Sequence, residues 1–217
     1  FTEMFLTMWC TASSASDTDF ERFLSASSSF PVYNGKGYIA PYCDSPLDNK
    51  PIGRNSYIDI LNNAKDYVSI MTPYFVVDEG IFDAMSYAVT RGVDVKLILP
   101  GIPDKRIPYC LARSYYEDLF DIGVEVYEYT PGFVHAKTTV SDGKHAIVGT
   151  INYDYRSLYL HYECAAYISD SPAIKDIDAD MIDTLSKCRR VTMAEYNELP
   201  WYYKFLGRVL RFIATLI

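Results

Sequence analysis

From Asn55 onward the apolar residues switch repeatedly between two periods, and that alternation constrains the fold more than any other property of the chain. YIDILNNAK places Ile58 and Leu61 on one helical face, with Tyr57 and Ala64 beside them. YVSIMTPYFV then reads as a buried strand broken at Pro73. Asp78 caps a helix through EGIFDAMSYAVTRG that stops at Gly92. VDVKLILPG is a second strand, Leu111–Phe120 a helix ending at Gly123, and VEVYEY a third strand. Strand, helix, strand, helix, strand in series predicts an α/β sheet with crossover helices. FVHAKTTVSDGKHAIVGT predicts a hairpin turning at Asp142-Gly143. ECAAYIS adds a strand, and a helix over Pro172–Arg190 completes the layer.

The remainder divides around that lobe. Residues 1–54 form a loop-rich lead-in: an apolar helical start, and a serine-rich stretch from Thr11 to Ser29 that reads as a linker or lid. Turn formers follow (Pro31, Gly35, Gly37, Pro41, Pro46, Pro51, Gly53), with a short strand at Tyr38–Ala40. Residues 55–192 are the lobe. Residues 193–217 carry a basic amphipathic helix. The chain opens on Phe1 and is apolar from the first residue, which reads as a piece of something longer with any upstream membrane segment unseen.

The hairpin carries the chemistry. His135, Lys137, Asp142, Gly149, Thr150 and Asn152 follow the spacing His-x-Lys-x4-Asp-x6-Gly-Thr-x-Asn. Residues two apart on a strand share a face, so His135 and Lys137 are expected on the first hairpin strand, aimed at one spot. Thr150 and Asn152 follow the second strand at the same spacing. An imidazole, an ammonium, a hydroxyl and an amide brought together form a kit for holding and attacking a phosphodiester without a metal. Lys137 and Asn152 would donate to the phosphoryl oxygens, where charge accumulates in transfer. Gly149 would let the backbone approach closely. An attacking histidine needs an acceptor on its second nitrogen, and Glu163 on the next strand is the best available carboxylate. Asp142, in the turn, is suited to fixing the loop through nearby N–H groups. Arg156 and Ser157 are secondary candidates for contact with phosphate or headgroup, the alternative for Arg156 being a structural pair with Asp154. His145 reads as an edge residue, His161, two residues before Glu163, is expected to face the same side as Glu163, and Lys105 and Arg106 read as a solvated loop.

Composition excludes several classes. A net charge of −8 argues against a general nucleic-acid binder, which needs a broad basic footprint. The five dispersed cysteines contain no Cys-x2-Cys pair, so neither a zinc site nor a disulfide framework is indicated, and a reducing, cytosol-facing compartment is expected. No metal and no cofactor are expected. The 20 tyrosines suit half-wet interfaces or strand packing.

The motif resembles the HKD signature of the phospholipase D superfamily. The flanking YTPGFVHAK, GTINYDYRSLYLHYEC and PYCDSPLDNKPIG, with the LILPGIPDKR loop, resemble the C-terminal half of bacterial cardiolipin synthases. The resemblance implies a phospholipase D-like lobe, a mixed β-sheet flanked by helices on both faces, holding one of two HKD motifs. The partner lobe would lie upstream in the same protein or in a second copy. It implies phosphatidyl transfer between two phosphatidylglycerols through a phosphohistidine, at the cytoplasmic membrane, either peripherally or through an anchor outside this chain. Lys137 and Asn152 would bind phosphate and Glu163 would orient His135. Whether His135 is the nucleophile or the general acid/base stays open, two-lobed relatives pointing to the latter. Thr150 stands where many members carry serine.

In the tail, Lys204, Arg208, Arg211 and Thr215 form one helical stripe among apolar residues, with Trp201, Tyr202 and Tyr203 at the entrance. That layout predicts a helix in the headgroup region, basic stripe toward anionic phosphates. The alternative is docking on another lobe. The rival functions are a homodimeric nuclease or phospholipase D using water, and an inert membrane-binding lobe.

Overall fold

The computed structural model describes residues 1–13, 20–27, 35–47 and 50–212. Helices α1 (Thr2–Ser13) and α2 (Phe20–Ser27) come first. The expected linker is therefore helical where it is described, and residues 14–19 and 28–29 of it lie outside the described residues, as do Pro31 and Thr215. Strand β1 (Tyr38–Asp44) is longer than the sequence indicates. It pairs antiparallel along its whole length with the strand Glu163–Ser169, so the lead-in contributes to the lobe's own sheet.

Helix α3 (Ile52–Asn63) starts earlier than its apolar period suggests. Pro51 and Gly53 read as turn formers, but a proline is tolerated where a helix begins because no N–H is needed there. Gly53 leaves room for the buried Asp44 carboxylate, which accepts from the Gly53 N–H at 2.7 Å and the Ile52 N–H at 3.3 Å. Next come β2 (Tyr67–Met71), β3 (Phe75–Val76), α4 (Glu79–Thr90) and β4 (Asp94–Pro100). Asp78 caps α4, accepting from the Ile81 N–H at 2.9 Å. The single helix expected over Leu111–Phe120 is two, α5 (Arg106–Arg113) and α6 (Tyr116–Asp121). Ser114 closes α5 by turning its hydroxyl back onto the Leu111 carbonyl at 2.6 Å.

After β5 (Glu125–Tyr129), the hairpin is β6 (Thr138–Ser141) and β7 (His145–Gly149), with Asp142 and Gly143 both at positive φ. A short β8 (Tyr153–Asp154), a π-helical turn at Arg156–Leu160, and β9 (Glu163–Ser169) follow. The last expected helix stops early: α7 is Ala173–Ser186, and Cys188–Arg190 form β10 against β5. The tail is two helices, α8 (Met193–Asn197) and α9 (Trp201–Phe212).

The large sheet runs β1-β9-β7-β6-β2-β4-β5-β10. β2, β4 and β5 are parallel, and every other neighbour is antiparallel. β3 and β8 pair separately, in parallel. Alternation along the strands builds two cores. Val68, Ile70, Val95, Leu97 and Val126 face α3, α4 and α6, meeting Tyr57, Leu61, Met85 and Leu119. Met71, Ile98, Val140 and Ile168 face α7, meeting Ile174 and Met181. Each such side chain contributes roughly 1.5–3 kcal/mol by leaving water. One carboxylate interrupts the first face. Glu128, 2% exposed, receives Arg113 at 2.9 Å, Arg189 at 2.8 Å and the Tyr116 hydroxyl at 3.0 Å. It ties β5 to α5, α6 and β10.

Candidate active site

The hairpin's open end gathers most of the motif, with one local difference from expectation. His135 and Lys137 precede β6 rather than lying within it. The ladder still reaches them, because the Gly149 N–H donates to the Lys137 carbonyl at 3.2 Å. The extended spacing therefore holds, and the two side chains meet. The Lys137 Nζ donates to the His135 carbonyl at 2.7 Å and stands 3.1 Å from Nδ1 and 3.3 Å from Nε2 of the ring. An ammonium this close to both ring nitrogens lies over the ring face, a position that a neutral imidazole accepts and an imidazolium would repel. Loss of water around the ring, and then the Lys137 charge, hold His135 below its ordinary value, while Asp104 pulls it upward. Lys137 is only 8% exposed. Burial lowers its ammonium as well, and the Glu163 and Asp154 charges act against that shift.

Asn152 points its amide nitrogen at the Ser157 hydroxyl, 3.0 Å away, and that nitrogen also bonds Asp154. Its Oδ1 is buried with no hydrogen-bond partner among the described residues. Ser157 is 1% exposed and is the second residue of the π-helical turn, its N–H donating to Asp154 at 2.8 Å. Burial raises the Asp154 carboxyl, and Glu163 adds to this. Ser157, Asn152 and His161 oppose it. Beside these groups lies a cavity of about 250 Å³. Asn152, Asp154, Arg156, Ser157, His161, Lys105 and Tyr74 supply its polar lining, while Val76, Pro108 and Leu111 supply an apolar wall. Tyr74 donates to Asp104, and the Phe133 ring lies 6.3 Å from Tyr74 and 5.6 Å from His135.

One expectation changes, that for Glu163, while Asp142 and Gly149 do what the turn and close-approach readings imply but away from the reacting groups. Glu163 does not hold the His135 ring. Its carboxylate takes the Thr150 hydroxyl and stands 3.7 Å from His161 Nδ1. Register explains this: Thr150 and Cys164 exchange backbone and side-chain hydrogen bonds across β7 and β9, which sets Thr150 beside Glu163. Asp142 is not at the site. It lies just past the far end of β6, roughly 16 Å along the chain from Lys137 at ~3.3 Å per residue. There it accepts from the N–H groups of Lys65, Asp66 and Tyr67, each at 2.9 Å. Burial would raise its carboxyl, but those three donors and Lys144 outweigh it and hold the group low. Gly149 serves strand packing, since a Cβ there would sit 2.3 Å from the Cys164 carbonyl oxygen of β9.

Sequence reasoning gave too little weight to Lys105 and His161, which line the cavity, and did not single out Asp154 or Tyr74 as site residues. Asp154 carried a usable signal, being two residues beyond Asn152 in an extended run. Lys105 carried none, because a loop lysine looks the same wherever it points. His145 lies at the other end of β7, its ring 6.0 Å from Tyr167. Among the described residues no group of three or more His, Cys, Asp and Glu could hold a metal.

A three-layer lobe with a mixed sheet and this one-hairpin site defines the phospholipase D class of fold. The chain belongs to the family described as cardiolipin synthase, PLD-like domain, which it matches over residues 57–184. An uncharacterized protein of Streptococcus mutans is 49% identical over all 217 residues, which cover 46% of that protein. A cardiolipin synthase of Halalkalibacterium halodurans is 33% identical over 83% of this chain and 36% of its own. The chain thus spans less than half the length of these curated relatives. The crystal structure of a phospholipase D family member, Nuc from Salmonella typhimurium, superposes with a TM-score of 0.61 at 18% identity. It covers 72% of this chain and 99% of Nuc, a likeness of fold.

Proposed function

We propose that this lobe supplies one half of the active site of a phosphatidyl transferase that makes cardiolipin and glycerol from two phosphatidylglycerols. The partner half would be a second HKD lobe, upstream in the same protein or in another copy, and the work would be done at a membrane surface. The observation that carries the reading is the Lys137 ammonium seated on the His135 ring, both held below their ordinary values. A ring kept neutral offers a lone pair. It suits the two steps that need one: attack on phosphorus and removal of the proton from the incoming lipid hydroxyl.

In the first step a histidine nitrogen bonds to phosphorus, the bond to glycerol breaks, and glycerol leaves with a proton from the partner imidazole. In the second, the hydroxyl of another phosphatidylglycerol bonds to phosphorus, the phosphorus–nitrogen bond breaks, and the hydroxyl proton passes to that imidazole. Lys137 and Asn152 would balance charge on the phosphoryl oxygens. Thr150 and Glu163, bonded to each other, would shape the field on Lys137. Arg156 and Ser157 would meet the headgroup in the cavity. The apolar wall of Val76, Pro108 and Leu111 supports a lipid alcohol over water as acceptor.

The test uses phosphatidylglycerol vesicles and the full-length protein carrying this lobe. Equal amounts of cardiolipin and glycerol are expected. Phosphatidic acid with glycerol would mean that water is the acceptor, and cleavage of plasmid DNA without lipid turnover would replace the reading with a nuclease.

A further inference from the structure

Helix α9 is amphipathic. Its basic stripe runs along the seam with the lobe, Lys204 and Arg211 half-buried and Arg208 exposed. Arg208 donates to Glu117 at 2.6 Å, and Arg211 donates to Asp118 at 2.5 Å while lying 4.0 Å over the Tyr115 ring. Lys204 reaches the Asn197 side chain at 3.1 Å and sits over Tyr196. Gly207 seats the helix on α5, since a Cβ there would stand 2.7 Å from the Ser114 Cβ. The outward face holds Trp201, Tyr202, Phe205, Leu206, Val209 and Phe212, from 42% to 89% exposed. A helix that turns Gly207, Leu210 and Arg211 to the lobe and bares its aromatics leaves an apolar patch, bordered by the exposed Arg208, that needs an occupant.

We propose that this aromatic face is a membrane-docking surface, entering the headgroup and upper acyl region of an anionic phospholipid bilayer. The proposal rests on the lipid reading of the site and names the face that meets the lipid. Trp and Tyr at one end with Phe, Leu and Val along the length are the residues of an interfacial helix, amphipathic rings at the headgroup level and aliphatic groups beneath. The aromatic and aliphatic residues of the face are uncharged, the exposed Arg208 borders it, and every charged residue of α9 is a cation, so an anionic surface meets no acidic group on this helix. Beyond Phe212 the sequence runs Ile-Ala-Thr-Leu-Ile, again uncharged. On its inner side Leu210 packs with Val76, Leu111 and Tyr155, three residues that line the cavity. A helix lying in the headgroup plane would therefore hold the cavity within about one helix diameter, ~10 Å, of the lipid surface. With Arg208 and Arg211 paired internally, adhesion would come from apolar burial and depend weakly on salt.

The experiment follows Trp201 fluorescence in a Trp9→Phe background with vesicles of phosphatidylglycerol and phosphatidylcholine containing brominated acyl chains. A blue shift and quenching of Trp201 at both low and high salt are expected. Phe205→Ser with Phe212→Ser should weaken partitioning at least roughly tenfold, given the apolar area lost. Both positions are exposed, so the fold is not at risk. Binding that survives this double variant but vanishes at high salt would overturn the proposal in favour of basic residues. Unquenched Trp201, with a self-associated species that the double variant disperses, would assign the face to a second copy. The same variants in the full-length protein should turn over a water-soluble, short-chain phosphatidylglycerol normally. Failure of that reaction with vesicle binding intact would sink the site reading and leave the docking face standing.

Discussion

The two ends of the β6–β7 hairpin are built from one sequence motif and end in opposite electrostatic conditions. At the turn, Asp142 holds three backbone donors and its carboxyl sits below its ordinary value. At the open end Lys137 and His135 are both depressed, Asp154 is raised, and the Asn152 Oδ1 is buried without a partner among the described residues. A satisfied end stabilises the lobe, while an end full of mismatched charge is where chemistry is expected. On the proposed reading the motif is half clamp and half reagent.

The strongest way to break the contrast is His135→Ala. In the full-length protein cardiolipin formation should fall by roughly a thousandfold or more, read by lipid mass spectrometry, with the melting temperature unchanged. Survival of product would remove His135 from the mechanism. Asp142→Ala should do the reverse. Losing one acceptor from three N–H groups should cost about 1–2 kcal/mol in denaturant unfolding, while turnover per folded molecule stays close to normal. A large loss of turnover at full stability would put Asp142 back among the reacting groups.

Smaller effects sharpen the comparison through pH. The folded value of Asp142 lies below its unfolded one, so its contribution is present above the unfolded value and is lost as pH falls through the folded value. Asp154 has the opposite sign: its folded value is raised, so the folded state binds the proton more tightly and gains stability as pH falls across that window. Asp142→Asn should flatten the acid loss, and Asp154→Asn should remove the gain, in unfolding curves taken across the carboxylate range. Curves of equal slope would cancel the distinction. The finest probe is Lys137→Met. Removing the ammonium should raise the His135 value toward that of an ordinary imidazole in an NMR titration, only partly because ring desolvation remains the larger cause.

The order of the central elements was legible because apolar period and turn chemistry are local. Pro73, Gly92 and Asp142-Gly143 mark breaks that the backbone obeys. What depended on partners was not legible. The start of α3 is decided by Asp44, and the break between α5 and α6 accompanies the Ser114 contact. Glu163 answers to Thr150 through strand register, which no spacing within the motif encodes. The seat of α9 on the lobe depends on partners in the same way: Glu117 and Asp118, far away in sequence, take Arg208 and Arg211. Lys137 and His135 were readable because they need only each other and two residues of extended chain.

The pairing of β1 with β9 has a practical consequence. β9 begins at Glu163 and is shielded on its outer side by β1, which carries Pro41 on the sheet's edge, where a missing donor discourages further strand addition. A lobe trimmed to start at α3 would present β9 bare. It would then be prone to stack edge to edge with its neighbours in solution, burying the Glu163 end in the aggregate.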